Sequence, residues 1–518
     1  MLARVHSMLL SGIDAVGCEV EVDFDSVGLD RQAIVGLPDA AVRESLDRVH
    51  SAIGNSGLPF PFGRTLINLA PADLRKEGPL YDLPIAVAML LVQGVVMDDG
   101  PGLDHRRYLF AGELALDGRL RPVPGCLAMA SLAAAEGFAG VVVPAANAPE
   151  AAAVAGRIAM QPGRDQPFDV IGVRTLCEVV GLLTGSIEPD PVPPMDIAGQ
   201  LASGEASVDF AEIKGQEPVK RAAVIAASGG HNLLMLGPAG TGKTMVARAL
   251  PGILPPMSPD EAIETTRIYS AAGRLPAGEG LVRERPVRTP HHTASSPAIV
   301  GGGAVPRPGE ISLAHHGVLF LDELPEFHKS VLETLRQPTE DHVVTIARAS
   351  GSVRFPADFM LIAAMNPTPR GDVAPGEVGR REMERYLGRI SGPMLDRIDL
   401  HVEAPRVPWS DLAEAPTGTD TAAMRQQVLS ARDRQRARQG SGLVNARLSG
   451  RQLDQHAPIT EAGMLLLRQA MTELGLSARA YDKLRRIART IADLDGLEAI
   501  DAPQLAEAVQ YRLLDRRL

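Results

Sequence analysis

At 518 residues, 45% hydrophobic and 22% charged, the chain is a folded protein too long for one ordinary core, so about two to four domains are expected. Its formal net charge of −11 argues against indiscriminate coating of nucleic acid, although a basic channel inside an assembly is compatible with it. The three cysteines, Cys18, Cys126 and Cys177, are too dispersed for a metal site or a disulfide framework and read as buried thiols. The longest apolar run, Pro84 to Met97, is interrupted by Gln93 and short for a membrane span, and no signal peptide is visible; cytoplasmic residence without a membrane partner is the expectation.

Residues 1–185 read as an α+β unit. Cys18 to Phe24 alternates apolar and acidic residues, as a half-buried strand does, and Arg64 to Leu69 is a second strand. Asp39 to Ile53 spaces Val42, Leu46, Val49 and Ile53 along one helical face. Pro84 to Val92 is a buried helix, Phe110 to Leu120 a hairpin turning at Asp117-Gly118, Leu127 to Glu136 an alanine-rich helix, and Gly140 to Pro144 a buried strand. Asn68 to Asp73, Glu77 to Pro84 and Gly112 to Pro124 resemble the ribosomal-S5-type, Lon-protease-like domain. Active proteases of that type carry a serine just after a Gly-Pro pair and a lysine near the proline-rich segment. Here Leu80 follows Gly78-Pro79, and Gly125 to Ala128 stands where the lysine belongs. Without a nucleophile and its base there is no acyl transfer, so the resemblance implies a non-proteolytic DNA-handling or assembly module.

Residues 186–206 are proline-dense and then small and polar, as an extended linker would be. Residues 207–410 are expected to form a P-loop α/β motor. The apolar run Asn232 to Leu236 leads into Gly237-Pro238-Ala239-Gly240-Thr241-Gly242-Lys243-Thr244, and a helix pattern follows. This is the GxxxxGK[ST] phosphate loop in its strand–loop–helix context; a glycine-rich turn matching by chance is the alternative. Backbone N–H groups of the loop and the helix N-terminus would cradle the phosphates of ATP, Lys243 would reach the β- and γ-phosphates, and the Thr244 hydroxyl would hold Mg²⁺. Gly317 to Leu321 is a buried strand ending in Asp322 and Glu323. Alone such a pair could be a surface feature; beside a phosphate loop, Asp322 is expected to hold Mg²⁺ through water and Glu323 to orient or deprotonate the attacking water.

Between these motifs, Arg285 to His292 and Gly301 to Gly309 read as loops, with Arg285, Arg288 and Arg307 as candidate DNA contacts. Adjacent His291 and His292 make a weak metal pair because neighbouring side chains diverge. Val343 to Ala347 and Gly351 to Phe355 form a hairpin with a basic tip at Arg348. Phe359 to Asn366 is the next buried strand. Asn366 could position the attacking water or simply cap the turn before Pro367.

Phosphate loop, Asp-Glu strand, hairpin, Asn366 and Ser391 to Leu400 together resemble the AAA+ ATPases of the magnesium-chelatase and replicative-helicase branch. With the first unit and the downstream Leu476 to Tyr481 and Ala488 to Leu494, the whole chain is most similar to the YifB/ComM family. The resemblance implies a ring homo-oligomer, expected as a hexamer, that acts on branched or single-stranded DNA. It implies Arg397 as an arginine finger offered to a neighbouring subunit and Arg479 as a second sensor. Read by residue type alone, Arg397 would instead pair with Asp396 or Asp399, and Arg479 would lie on a solvated face. Two departures stand out: Pro367 to Glu377 lacks the cysteine-rich insertion of many relatives, which puts any function of that metal site in doubt, and Ala239 replaces a usual proline.

Residues 411–518 are expected to be a helical lid. Arg425, Arg432 and Arg436, with Arg434 and Arg438 on an adjacent face, read as a solvated face or as a phosphate-contacting stripe. The implied function is a DNA motor promoting branch migration. The alternatives are a chelatase-type motor subunit, disfavoured by residues 1–185, an ATP-dependent protease, disfavoured by Leu80 and the missing lysine, and a DNA-binding scaffold that hydrolyses ATP without moving strands.

Overall fold

The computed structural model describes residues 1–27, 31–97, 100–159, 167–201, 208–303, 306–348, 351–369, 377–407, 419–473, 475, 477–512 and 514. The chain divides into two compact units, one of residues 1–203 with 257–283 and the other of residues 204–256 with 284–518.

In the first unit β1 (Leu2–Ser11), β2 (Asp14–Asp25), β3 (Arg31–Val35) and β4 (Arg64–Ala70) form a sheet in the order β1-β2-β4-β3, antiparallel except for β3 against β4. The helical stretch expected from Asp39 breaks at Glu44 into Ala40–Arg43 and Ser45–Asn55, and Asp39 caps the first piece by accepting from Val42 N. Asp82–Val92 is buried along its whole length, as its unbroken apolar sequence requires. Asp82, also buried, is neutralised by Arg48 at 2.8 Å. Among the described residues no helix is long and apolar enough to cross a membrane. A second sheet holds the parallel strands β5 (Tyr108–Phe110), β6 (Gly140–Pro144) and β7 (Asp169–Val173), and the predicted hairpin pairs Glu113–Leu114 with Leu120–Arg121.

The Pro259–Ala271 helix, opened by a Ser258/Glu261 capping box, packs in this first unit although it follows the phosphate loop in sequence. Ala262 and Ile263 join the unit's core, Ser270 Oγ accepts from Gly125 N at 3.1 Å, and Arg267 pairs with Asp14.

In the second unit β8 (Leu233–Leu236), β9 (Val287–Arg288), β10 (Val318–Leu321), β13 (Met360–Met365) and β14 (Leu400–Glu403) form a five-stranded parallel sheet ordered β9-β10-β13-β8-β14. β8, β10 and β13 are buried throughout, which explains their continuous apolar sequences. The predicted hairpin is β11 (Val343–Arg348) against β12 (Gly351–Pro356); residues 349–350 of its tip lie outside the described residues. Downstream are the helices Thr421–Gln439, Gly450–His456, Glu461–Glu473, Ala478–Asp495 and Ala502–Gln510.

Two expectations about arginines change. Arg285 and Arg288 do not sit on a free loop: Arg288 belongs to β9 and grips Glu310 at 2.5 and 2.8 Å, while Arg285 donates to the carbonyls of Pro255 and His316 at 2.7 and 2.6 Å. In the Thr421–Gln439 helix, Arg432 donates to Ala227 O at 2.7 Å, Arg434 to Asp493 O at 2.5 Å and Arg438 to the buried Asp493 carboxylate at 2.5 and 2.9 Å. The Arg432 and Arg438 guanidiniums are half-buried clamps, so neither a solvated face nor a phosphate stripe describes them, whereas Arg434 stays exposed while it donates to a backbone carbonyl. Arg436, paired with the exposed Asp433, does stay at the surface.

Candidate nucleotide-binding site

The site lies at the C-terminal ends of β8, β10 and β13, where open parallel sheets collect ligands. β8 runs directly into the phosphate loop, and the Lys243–Ala249 helix starts at its end. Gly240 and Gly242 have φ of 78° and 85°, a left-handed backbone that disfavours side chains. Gly237 is required for a different reason: a Cβ there would meet the Ala404 carbonyl at 2.2 Å.

Lys243 is largely buried, and its Nζ donates to the carbonyls of Gly237 and Pro238, both at 2.7 Å, and to Asn366 Oδ1 at 3.3 Å. Burial lowers its pKa below the usual lysine value, opposed by the negative charge of Asp322. Thr244 Oγ1 donates to Asp322 Oδ2 at 3.0 Å, and Asp322 Oδ1 accepts from Glu323 N at 3.0 Å. The network therefore joins Lys243, Thr244, Asp322 and Asn366 from three adjacent strand ends, with Glu323 beside them. Glu323 is held at φ 54°, an uncommon conformation for a residue with a side chain.

The chemistry of this donor set fits a triphosphate with Mg²⁺. A partly desolvated ammonium meets neutral carbonyl, amide and hydroxyl oxygens, and a hydroxyl and a carboxylate meet at a distance that one hard cation could bridge. Gly237, Pro238, Ala239, Gly240, Thr241 and Gly242 shape the loop, with Thr241 Oγ1 bracing it by donating to Pro238 O at 3.0 Å.

Arg397 and Arg479 do not join this cluster through any described contact. Arg397 pairs with Glu340 at 2.6 Å and donates to the carbonyls of Arg336 and Pro393; neither neighbouring aspartate is its partner. Asp399 instead receives Asn232 N at 3.1 Å, and Asp396 lies 3.9 Å from the exposed Arg479. His292 is a residue for which sequence reasoning found no role: its Nδ1 lies 3.4 Å from Glu323 Oε2. The two adjacent histidines do not diverge, since their rings lie side by side with centroids 4.1 Å apart and His291 is anchored by Thr293 at 2.8 Å. Only the signal of two histidines before the Asp-Glu strand was available in sequence, and it did not specify the partner.

Three family models match: "Magnesium chelatase, subunit ChlI" over residues 209–412, "Subunit ChlI of Mg-chelatase" over 20–147, and "Magnesium chelatase, subunit ChlI C-terminal" over 418–512. The chain is 42% identical to "Uncharacterized protein YifB" of Salmonella typhimurium over 100% of this chain and 98% of that protein. It is 42% identical to "Competence protein ComM" of Haemophilus influenzae, with the same coverage of both. A magnesium-chelatase 38 kDa subunit of Rhodobacter capsulatus is 28% identical over 32% of this chain and 52% of its own length. Identity at the level of YifB and ComM, sustained over both full lengths, shows that the chain belongs to the YifB/ComM family.

Proposed function

We propose that this protein is a Mg²⁺-dependent AAA+ ATPase that assembles in the cytoplasm as a hexameric ring and moves DNA strands, promoting branch migration in recombination or natural transformation. The observation that carries the ATPase reading is the cluster of Lys243, Thr244, Asp322 and Asn366 at the C-terminal ends of three adjacent strands of a parallel sheet. Lys243 and the loop amides would hold the phosphate oxygens, and Thr244 and Asp322 would hold Mg²⁺, which would supply positive charge against the phosphates. Glu323 takes the proton of the attacking water as its oxygen bonds to the γ-phosphorus and the bond to the ADP oxygen breaks; Asn366 orients that water. Arg397 of one subunit neutralises transition-state charge at its neighbour, and Arg479 acts as a sensor from the helical lid.

The DNA reading is supported by full-length similarity to a protein named for competence. The first unit we read as a non-proteolytic S5/Lon-like module, since Leu80 at the nucleophile's place is 4% exposed and apolar, and Gly125 to Ala128, where the lysine belongs, contains none. A chelatase-type motor is the second reading, favoured by the three matching models; because one of them covers residues 20–147, the first unit does not count against it. Strand movement on a labelled four-way junction with ATP and Mg²⁺, beside Glu323→Gln, separates the readings. Resolution by the unmodified protein alone is expected. Binding and turnover without movement would favour a scaffold, and absence of DNA binding would favour the chelatase reading.

A further inference from the structure

Arg397 sits in an irregular stretch, Asp396 to Asp399, between the Gly392–Leu395 helix and β14. The carbonyl of each of its four residues is met by a side chain from a distant part of the second unit. Lys483 Nζ, from the Ala478–Asp495 helix, donates to the carbonyl of Asp396 and, at 3.4 Å, to that of Ile398. Asn232 Nδ2, from the residue that opens the strand into the phosphate loop, donates to the carbonyl of Arg397 itself at 2.9 Å. Arg512 Nη1, beyond the last helix, donates to the carbonyls of Ile398 at 2.7 Å and Asp399 at 3.1 Å. The Asp399 carboxylate closes the cage: it accepts from Asn232 N at 3.1 Å and lies 3.7 Å from Lys483 Nζ. Lys483 is 9% and Arg512 1% exposed.

Two buried cations are a costly means of satisfying loop carbonyls that water could satisfy at a surface, because each charge loses its hydration. What they add is geometry. The loop carrying Arg397 is pinned at once to the strand that leads into the phosphate loop and to the helix that carries Arg479, so its position follows those two elements. We propose that Lys483 and Arg512 are positioning residues for Arg397, holding its backbone where the guanidinium can reach the nucleotide of a neighbouring subunit. This rests on the reading of Arg397 as a finger acting in trans.

The test is subunit mixing. Lys243→Ala disables a subunit's own site but leaves its Arg397 intact, and Arg397→Ala does the reverse. Mixed one to one in a ring, they should recover about a quarter of wild-type turnover, since about that fraction of head-to-tail interfaces pairs a good site with a good finger. Lys483→Met alone should lose roughly 10²-fold in turnover, the scale of a misplaced catalytic group, with KM for ATP little changed. Mixed with Lys243→Ala, it should recover to the same level as Arg397→Ala does. Arg512→Met, from a separate element, should behave alike and serves if Lys483→Met does not fold. Recovery by Arg397→Ala but by neither of these variants would overturn the proposal, because the damage would then lie in each variant's own site or fold. Recovery by none, Arg397→Ala included, would refute the trans finger itself and the proposal with it.

Discussion

Asp493 offers a sharp test of how the C-terminal helices are held. It is 1% exposed and accepts from Arg438 Nη1 and Nη2 at 2.5 and 2.9 Å, Arg489 Nη2 at 2.9 Å and Asn445 Nδ2 at 2.8 Å. Arg489 is fully buried, and burial lowers its pKa, with the charge of Asp493 opposing. Asp493→Asn keeps the shape but removes the charge that compensates two guanidiniums. Leaving a buried ion pair broken costs about 3–5 kcal/mol. At about 2–4 °C per kcal/mol for a unit of this size class, the thermal transition of the second unit should fall by roughly 6–20 °C. Differential scanning calorimetry of the full chain measures it. A shift under about 2 °C would refute the reasoning, since the arginines would then have to be solvated without Asp493. Arg438→Gln adds a second arm: it should lower stability yet leave the salt dependence of DNA binding unchanged, whereas a phosphate contact would reduce that slope by about one.

Lys243→Ala should abolish ATP binding, measured by fluorescent nucleotide titration, while Glu323→Gln should bind ATP normally and lose turnover by at least about 10²-fold; normal turnover in either would sink the site assignment. Gly237→Ala drives a Cβ to 2.2 Å from a backbone carbonyl and should destabilise by about 1–3 kcal/mol in urea unfolding, whereas an unchanged midpoint would show that the loop yields. Burial pushes the Cys18 thiol up to about 12 and Cys126 well above its usual value, so neither should hold appreciable thiolate at pH 8. Only the exposed Cys177 should react with a thiol reagent in the native protein, and all three after unfolding; two fast native thiols would contradict this.

The expectation of three buried thiols thus fails at Cys177, and the reason is general: nothing local distinguishes that helix position from a buried one. What the sequence alone determined is what short-range chemistry dictates. The strand–loop–helix turn at Gly237 to Thr244 is legible because clustered glycines after an apolar run mark a tight turn into a helix, and β8, β10 and β13 because strands buried on both faces read as unbroken apolar runs. The hairpins and the buried Asp82–Val92 helix follow from equally local patterns. Only the tertiary structure decided where charged side chains find partners. Arg438 meets Asp493, Arg397 meets Glu340 and His292 meets Glu323 across dozens of residues, and nothing in the local pattern of an arginine separates a solvated face from an internal clamp. The packing of the Pro259–Ala271 helix in the first unit was equally illegible, because an amphipathic helix declares that it has an apolar face but not which core receives it.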